Sequence, residues 1–199
     1  MQRFLLFLLI IANTAAAQVK LPVPRNVQKL YDYGFRSAGG QPGKNYWQNK
    51  AGYAIAVTYD PVSRSVTGTE EISYVNNSPD VLKTIVFKVY PNLYKKGVER
   101  DMEVEAADLT DGVTIDKLEV DGKIKDGRSI SIEGTNMYIR GVNIASKQAV
   151  KITVQFSYIL NKGSHIRTGE VEQGAAFIAY FFPRIAVYDE LDGWNINPY

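Results

Sequence analysis

The sequence predicts an all-β protein, an antiparallel β-sandwich or a pair of saddle-shaped sheets. Three observations carry that prediction: side chains alternate with a period of two from Tyr53 onward, turn-forming Gly, Pro, Asn and Asp clusters recur at short spacing, and no helical period is sustained. In YAIAVTY, Tyr53, Ile55, Val57 and Tyr59 alternate with smaller residues. The following DPVSR reads as a turn, because Pro61 presets the backbone angle that its second position requires. VTGTEEISYV then keeps Ile72 and Tyr74 on one face and breaks at Asn76-Asn77-Ser78-Pro79, so the two runs form a hairpin.

Further strands follow. KTIVFKVYP alternates Ile85, Phe87 and Val89, VTIDKLEVDG closes on the turn dipeptide Asp121-Gly122, and SISIEG and NMYIRGV come next. The clearest run is AVKITVQFSYIL, in which Val150, Ile152, Val154, Phe156 and Tyr158 alternate without a miss. Residues 98 to 109 can form a turn or two of helix.

The domain reading has three parts. Residues 1–17 carry Arg3, an apolar run from Phe4 to Ala12 and an Ala15-Ala16-Ala17 cleavage pattern before Gln18, which is the layout of a signal peptide. The apolar run is about half of the roughly 20 residues that a spanning helix needs, so no membrane span is expected after cleavage. Residues 18–52 are rich in Pro, Gly and Asn and read as an extended leader wrapping the domain, with Tyr31, Tyr33, Phe35 and Trp47 as anchors. Residues 53–199 are the β-domain. The protein is expected to be exported: periplasmic, at the outer surface or secreted, in a bacterium.

Composition narrows the function classes. The chain's net charge is +2, falling to +1 with the loss of Arg3, and Lys95-Lys96 is the only basic doublet, so nothing points to nucleic acid. With no cysteine, the protein has no disulfide, cysteine nucleophile or thiolate metal site, and its core must hold it together.

His165 is the only histidine, which rules out an HExxH zinc site within the chain. A Ser-His-Asp triad would have to use it, yet no G-x-S-x-G elbow occurs, and His165 reads as an exposed loop residue in GSHIRTG. Phosphate-binding glycine loops are also missing from the sequence. A glycosidase would need two carboxylates facing one bond. Glu70 and Glu71 are neighbours on a strand and point to opposite faces; they read, with Asp189-Glu190 and the spread Glu99, Asp101, Glu103 and Glu105, as solvated surface charge. The many tyrosines and two tryptophans read as core and cross-strand residues before a carbohydrate platform. The sequon Asn76-Asn77-Ser78 predicts an exposed turn in a host that glycosylates.

The order of these features resembles a known family. The strand opening on Tyr53, the DP turn, V-x-G-x-E-x-I (Val66, Gly68, Glu70, Ile72), F-x-V-Y-P-N-L from Phe87 to Leu93, LEVDG, KITVQFSYIL, R-x-G at Arg167 to Gly169 and FFPRIAVYDELDGWNINPY together resemble the N-terminal β-domain of the aminopeptidase N family of zinc metallopeptidases. The last segment looks most like the exported bacterial branch, and the resemblance covers roughly Gly52 to Tyr199.

That resemblance implies a β-domain that forms one wall of a peptide-binding cleft beside a catalytic domain of the same polypeptide. The catalytic domain would carry the zinc site, so no catalytic residue, metal ligand or cofactor is expected in this chain, zinc belongs to the full-length parent, and the chain alone is expected to be inactive. Tyr199 then reads as a truncation point. Tyr180, Phe182, Arg184, Tyr188, Asp189 and Trp194 become domain-interface candidates, with some of the aromatics closing the sheet's own core instead. The family's β-domain often contributes a Gln or Glu that helps bind the substrate's amino terminus. Gln173, Glu172 and Glu170 lie in that region, and Gln173 is the first choice, although spacing does not select among them. The alternative reading is an independent secreted β-sandwich that binds carbohydrate or protein.

Overall fold

The computed structural model describes residues 21–198, so the signal-peptide and truncation readings, which fall on residues 1–17 and on Tyr199, lie outside the described residues. The chain divides after Tyr46 into two units. The first contains a helix, α1 (Arg25–Asp32), entered from Pro24. Proline suits that position because its fixed φ matches helix entry and a first-turn N–H has no partner to lose. Beyond α1, Gly34 at φ 69 reverses the chain, and Gly43 N–H bonds to Phe35 O at 2.8 Å while Asn45 N–H bonds to Gly34 O at 2.9 Å. The segment is therefore helix plus folded loop where the sequence suggested an extended run. An eight-residue helix is too short to display a sustained period. Tyr33, expected as an anchor, is 62% exposed.

The second unit is an all-β fold of antiparallel sheets. Its strands are β1 (Lys50–Asp60), β2 (Ser65–Val75), β3 (Leu82–Lys88), β4 (Thr114–Val120), β5 (Lys123–Ile124), β6 (Ile130–Glu133), β7 (Asn136–Ile144), β8 (Ala149–Ile159), β9 (Thr168–Glu172), β10 (Ala175–Ile178), β11 (Arg184–Ile185), β12 (Tyr188–Asp189) and β13 (Gly193–Trp194). One sheet runs β1-β2-β8-β4-β5 and the other β11-β3-β7-β6; β9-β10 and β12-β13 are small hairpins. The two larger sheets share one apolar cluster. Val66, Ile72, Tyr74, Ile152, Val154 and Phe156 enter it from the first sheet, and Ile85, Phe87, Met137 and Ile139 from the second.

The strongest sequence signal is the centre of this core. All five alternating residues of β8 are buried, and β8 pairs on both sides, with β2 and with β4. The β1–β2 hairpin forms as expected, in one-to-one register from Lys50↔Val75 to Asp60↔Ser65. Its turn is held by Asp60, whose carboxylate accepts from Val62 N–H (2.9 Å) and Ser63 Oγ (2.6 Å). β3 departs from simple alternation: Val86 and Lys88 are buried as well as Ile85 and Phe87. The C-terminal segment explains this, since β11 pairs with β3 and Lys88 Nζ donates to Asn136 Oδ1 (2.7 Å) and Asn197 O (2.6 Å).

Asn76 and Glu70 both lie where the sequence did not lead one to expect them. Asn76 is fully buried and is not in an exposed turn: its amide donates to Asp80 O, Ile144 O and Ala145 O, and its Oδ1 accepts from Ser78. It is a buried bracket joining the β2 exit to the β7 end. Glu70 is not solvated surface charge. Glu71 is, pairing with Lys151 at 2.9 Å, but the strand's alternation that sends Glu71 outward turns Glu70 into the core.

Candidate functional site

The three residues singled out for amino-terminus recognition meet at one place. Gln173 sits in the two-residue turn between β9 and β10, closed by Gly174 at φ 82, with Glu170 and Glu172 on the β9 arm. The hairpin lines one side of an open hollow of about 690 Å³, and Glu105, Asp108 and Lys162 line the other. Four carboxylates and a primary amide thus surround one opening against a single lysine. Glu105 and Glu172 are solvent-exposed, Glu170 is half-buried and Asp108 is buried.

Asp108 builds the floor, in a single turn of 3-10 helix at Ala106–Asp108. One of its oxygens accepts from Gly163 N–H, and the other lies 3.0 Å from His165 Nε2. His165 is therefore half-buried and fixed, in contrast to the exposed loop residue expected from the sequence. Its ring also stacks on Tyr94, with centroids 6.3 Å apart. Asn161, itself buried, donates to Thr168 O at 3.1 Å and so ties the two ends of the 161–168 loop together.

The loop's tip is strained. His165 and Thr168 exchange backbone hydrogen bonds of 2.9 Å each, and the two residues between them, Ile166 and Arg167, take φ values of 48 and 62. A β-branched residue in the left-handed region is an outlier that surrounding contacts must hold in place. Here Arg167 donates to Tyr180 OH and lies over the Tyr180 ring, 5.4 Å from its centre, and Tyr180 has a φ of 57. Gly169 follows with φ 120, where a Cβ would meet Asn161 Nδ2 at 2.5 Å. The R-x-G motif is thus legible as geometry: arginine clamps the hairpin exit, and glycine lets the β9 backbone pass Asn161.

Among the described residues, no three His, Cys, Asp or Glu side chains come together as a metal site. The single histidine is engaged with Asp108. No helix among the described residues is long and apolar enough to cross a membrane.

The interface candidates fall into two sets. Phe182 meets Tyr53 edge-on at 5.4 Å, Tyr188 lies between Trp47 (5.8 Å) and Trp194 (5.1 Å), and all three aromatics pack on the core cluster. Tyr188 OH also donates to Asp80 at 2.9 Å. Arg184 is exposed, donating to Tyr90 OH at 2.9 Å, and Asp189 caps the turn that follows it by accepting from Leu191 and Asp192 N–H. Tyr180 is half-buried against Tyr90 at 4.9 Å. Exposed apolar side chains do occur nearby, at Phe177, Val187 and Ile196.

A buried ionisable group lies away from the hollow. Glu70 is 0% exposed, neither carboxylate oxygen has a hydrogen-bond partner among the described residues, and burial pushes its pKa up to about 8. Tyr53, on the neighbouring strand, is a titratable group that feels it. Its pKa is raised by its own burial and further by Glu70, and lowered by the Ile185 N–H bond at 3.1 Å.

Comparison with family models, curated proteins and solved structures finds no match to this chain. The resemblance to the aminopeptidase N β-domain therefore rests on the sequence motifs.

Proposed function

We propose that the chain is the β-domain of an exported aminopeptidase N-type protein, and that its β9–β10 hollow holds the free amino terminus of a peptide. The observation that carries this reading is the convergence of Gln173, Glu172 and Glu170 with Glu105 and Asp108 on one opening. An ammonium group has three donors and one positive charge, and carboxylates together with an amide oxygen are the acceptors that suit it. The strained 166–167 turn supports the reading by locking the loop that faces the hairpin. In this role the chain binds and orients. Zinc chemistry would belong to a catalytic domain of the same protein, for which Arg184 and the exposed Val187 and Ile196 are candidate contacts.

The carbohydrate reading receives less support, because Trp47, Tyr188 and Trp194 stack on one another and on the core and present no open platform. Titrating the chain with a dipeptide amide and with its N-acetylated form, followed by NMR, tests the proposal. Binding of the free amine in the millimolar range, abolished by acetylation and weakened several-fold in Glu172→Gln, is the expected result. Equal binding of the acetylated peptide, or unchanged affinity in that variant, would overturn it.

A further inference from the structure

Among the described residues, the first strand of the domain is an open edge. β1 lies at the end of the five-stranded sheet and pairs with β2 over eleven residues without a bulge. Such an edge presents a row of unpaired N–H and C=O groups, and proteins normally blunt it with short strands, proline, bulges or inward-pointing charge. The other edges of the two main sheets are blunted: β5 and β11 are two residues long and β6 is four. β1 has none of these devices within KAGYAIAVTYD; its two charges are its two terminal residues. Its core-facing row is also left open, since Tyr53, Ile55 and Tyr59 are only half-buried and Val57 is 47% exposed, whereas the matching row on β2 is closed at Val66, Glu70, Ile72 and Tyr74.

The strand is complementary to itself. Laid antiparallel on a second copy and centred on Ile55, it sets Lys50 opposite Asp60 of the partner subunit at one end and Asp60 opposite Lys50 of the partner subunit at the other. Between them Tyr53 meets Val57 of the partner subunit, Ala54 meets Ala56 of the partner subunit, and the two copies of Ile55 face each other. Core-facing side chains stay on the core face throughout. A slip of one residue places each lysine opposite a tyrosine, and a slip of two removes the charge pairing at both ends, so this register is singled out. Neither end charge meets an opposite charge across its own hairpin, where Val75 faces Lys50 and Ser65 faces Asp60.

We propose that the protein forms a two-fold symmetric dimer by antiparallel β1–β1 pairing, which joins two five-stranded sheets into one. The contact is isologous, so it closes on itself. This inference stands apart from the proposed amino-terminus site, which is on the β9–β10 hairpin.

The full chain, run by analytical ultracentrifugation over a concentration series, is expected to show a monomer–dimer equilibrium. Val57→Lys, which puts a charge into the half-open row, is expected to leave a folded monomer by circular dichroism. Lys50→Asp and Asp60→Lys each place like charges at both ends of the pairing and are expected to weaken it roughly tenfold. Mixing the two variants restores opposite charges at both ends, and is expected to restore dimer affinity. Because the natural chain has no cysteine, Ile55→Cys reports the register directly: it is expected to give an oxidised covalent dimer, while Ala51→Cys is not. A monomer at all concentrations, association that survives Val57→Lys, or a mixture no tighter than its two components would each overturn the proposal.

Discussion

Replacing Glu70 with glutamine tests whether the core holds an ionisable group at a cost. The carboxyl is 0% exposed with both oxygens unpartnered among the described residues, and its pKa lies at about 8, against an ordinary value of 4.5. Burial penalises the charged form, because the lost hydration is not replaced by a hydrogen bond or an opposite charge. The folded state then holds its proton more tightly than the unfolded state does. Below pH 4.5 both states are protonated and the group has no pH-dependent effect. As the pH rises from about 4.5 to about 8, unfolding releases the proton, so each pH unit lowers stability by about 1.4 kcal/mol. Over the whole window the loss approaches roughly 5 kcal/mol, an upper bound because a buried carboxylate recruits water and its surroundings relax. Above about pH 8 the curve flattens.

Urea unfolding at pH 5, 6, 7, 8 and 9 reads this directly. With an m-value of about 2 kcal/mol/M, the natural chain's midpoint is expected to fall by about 2 M between pH 5 and pH 8. In Glu70→Gln the amide stays neutral across the range, so the variant is expected to match or fall slightly below the natural chain at pH 5 and exceed it by several kcal/mol at pH 8. Other titrating groups contribute alike to both proteins, and the difference curve isolates residue 70. A difference that does not change between pH 5 and pH 8 would refute the reasoning, and would mean that Glu70 is hydrated or paired in solution.

Three further outcomes are expected. Asn92→Ala should cost roughly 2–4 kcal/mol by chemical denaturation, because the buried amide donates to Gly134 O at 3.0 Å and accepts from Val113 N–H at 2.7 Å, and its removal strands two backbone groups. Gly68→Ala should cost about 1–3 kcal/mol, since the added Cβ falls 2.7 Å from Phe156 Cε1 directly across the β2–β8 ladder, and Phe156→Leu in the same chain should recover part of that loss. Incubating the chain with aminoacyl-nitroanilides and zinc should give no turnover above blank; turnover would contradict the reading of the chain as a β-domain without its own catalytic centre.

The fold was legible where burial is one-sided. β8 has a neighbouring strand on each side and one face in the core, so alternation alone defines it from Val150 to Tyr158. Legibility fails where a second layer covers a strand. Val86 and Lys88 of β3 look like outward residues until β11 and Asn197 arrive from more than ninety residues away. Glu70 fails for a different reason. Its position in the alternation placed it on the inward face with Ile72, and only the usual preference of glutamate for water argued against burial. The periodicity was the stronger signal, and the expectation built on charge yielded to it.

The hollow was half legible for the same kind of reason. Glu170, Glu172 and Gln173 lie within four residues of each other, so the sequence keeps them together whatever the fold does. Asp108 enters from more than fifty residues away, and what makes it part of the site is its pairing with His165 and Gly163, a contact that no spacing rule encodes. That pairing also changes what His165 can do. A histidine on an exposed loop is free to reorient, whereas one tied to a buried carboxylate and stacked on Tyr94 fixes the backbone on which Arg167 and Gly169 are built. Replacing Asp108 with alanine should therefore act on the hollow through the loop as well as by removing one of its carboxylates. It would leave the Gly163 N–H and His165 without their partner, release the 166–167 turn and weaken ammonium binding at Gln173 without removing any group that would contact the amine from the hairpin. If peptide-amine affinity in Asp108→Ala equals that of the natural chain while the 161–168 amides lose protection from hydrogen exchange, the loop is not what shapes the site.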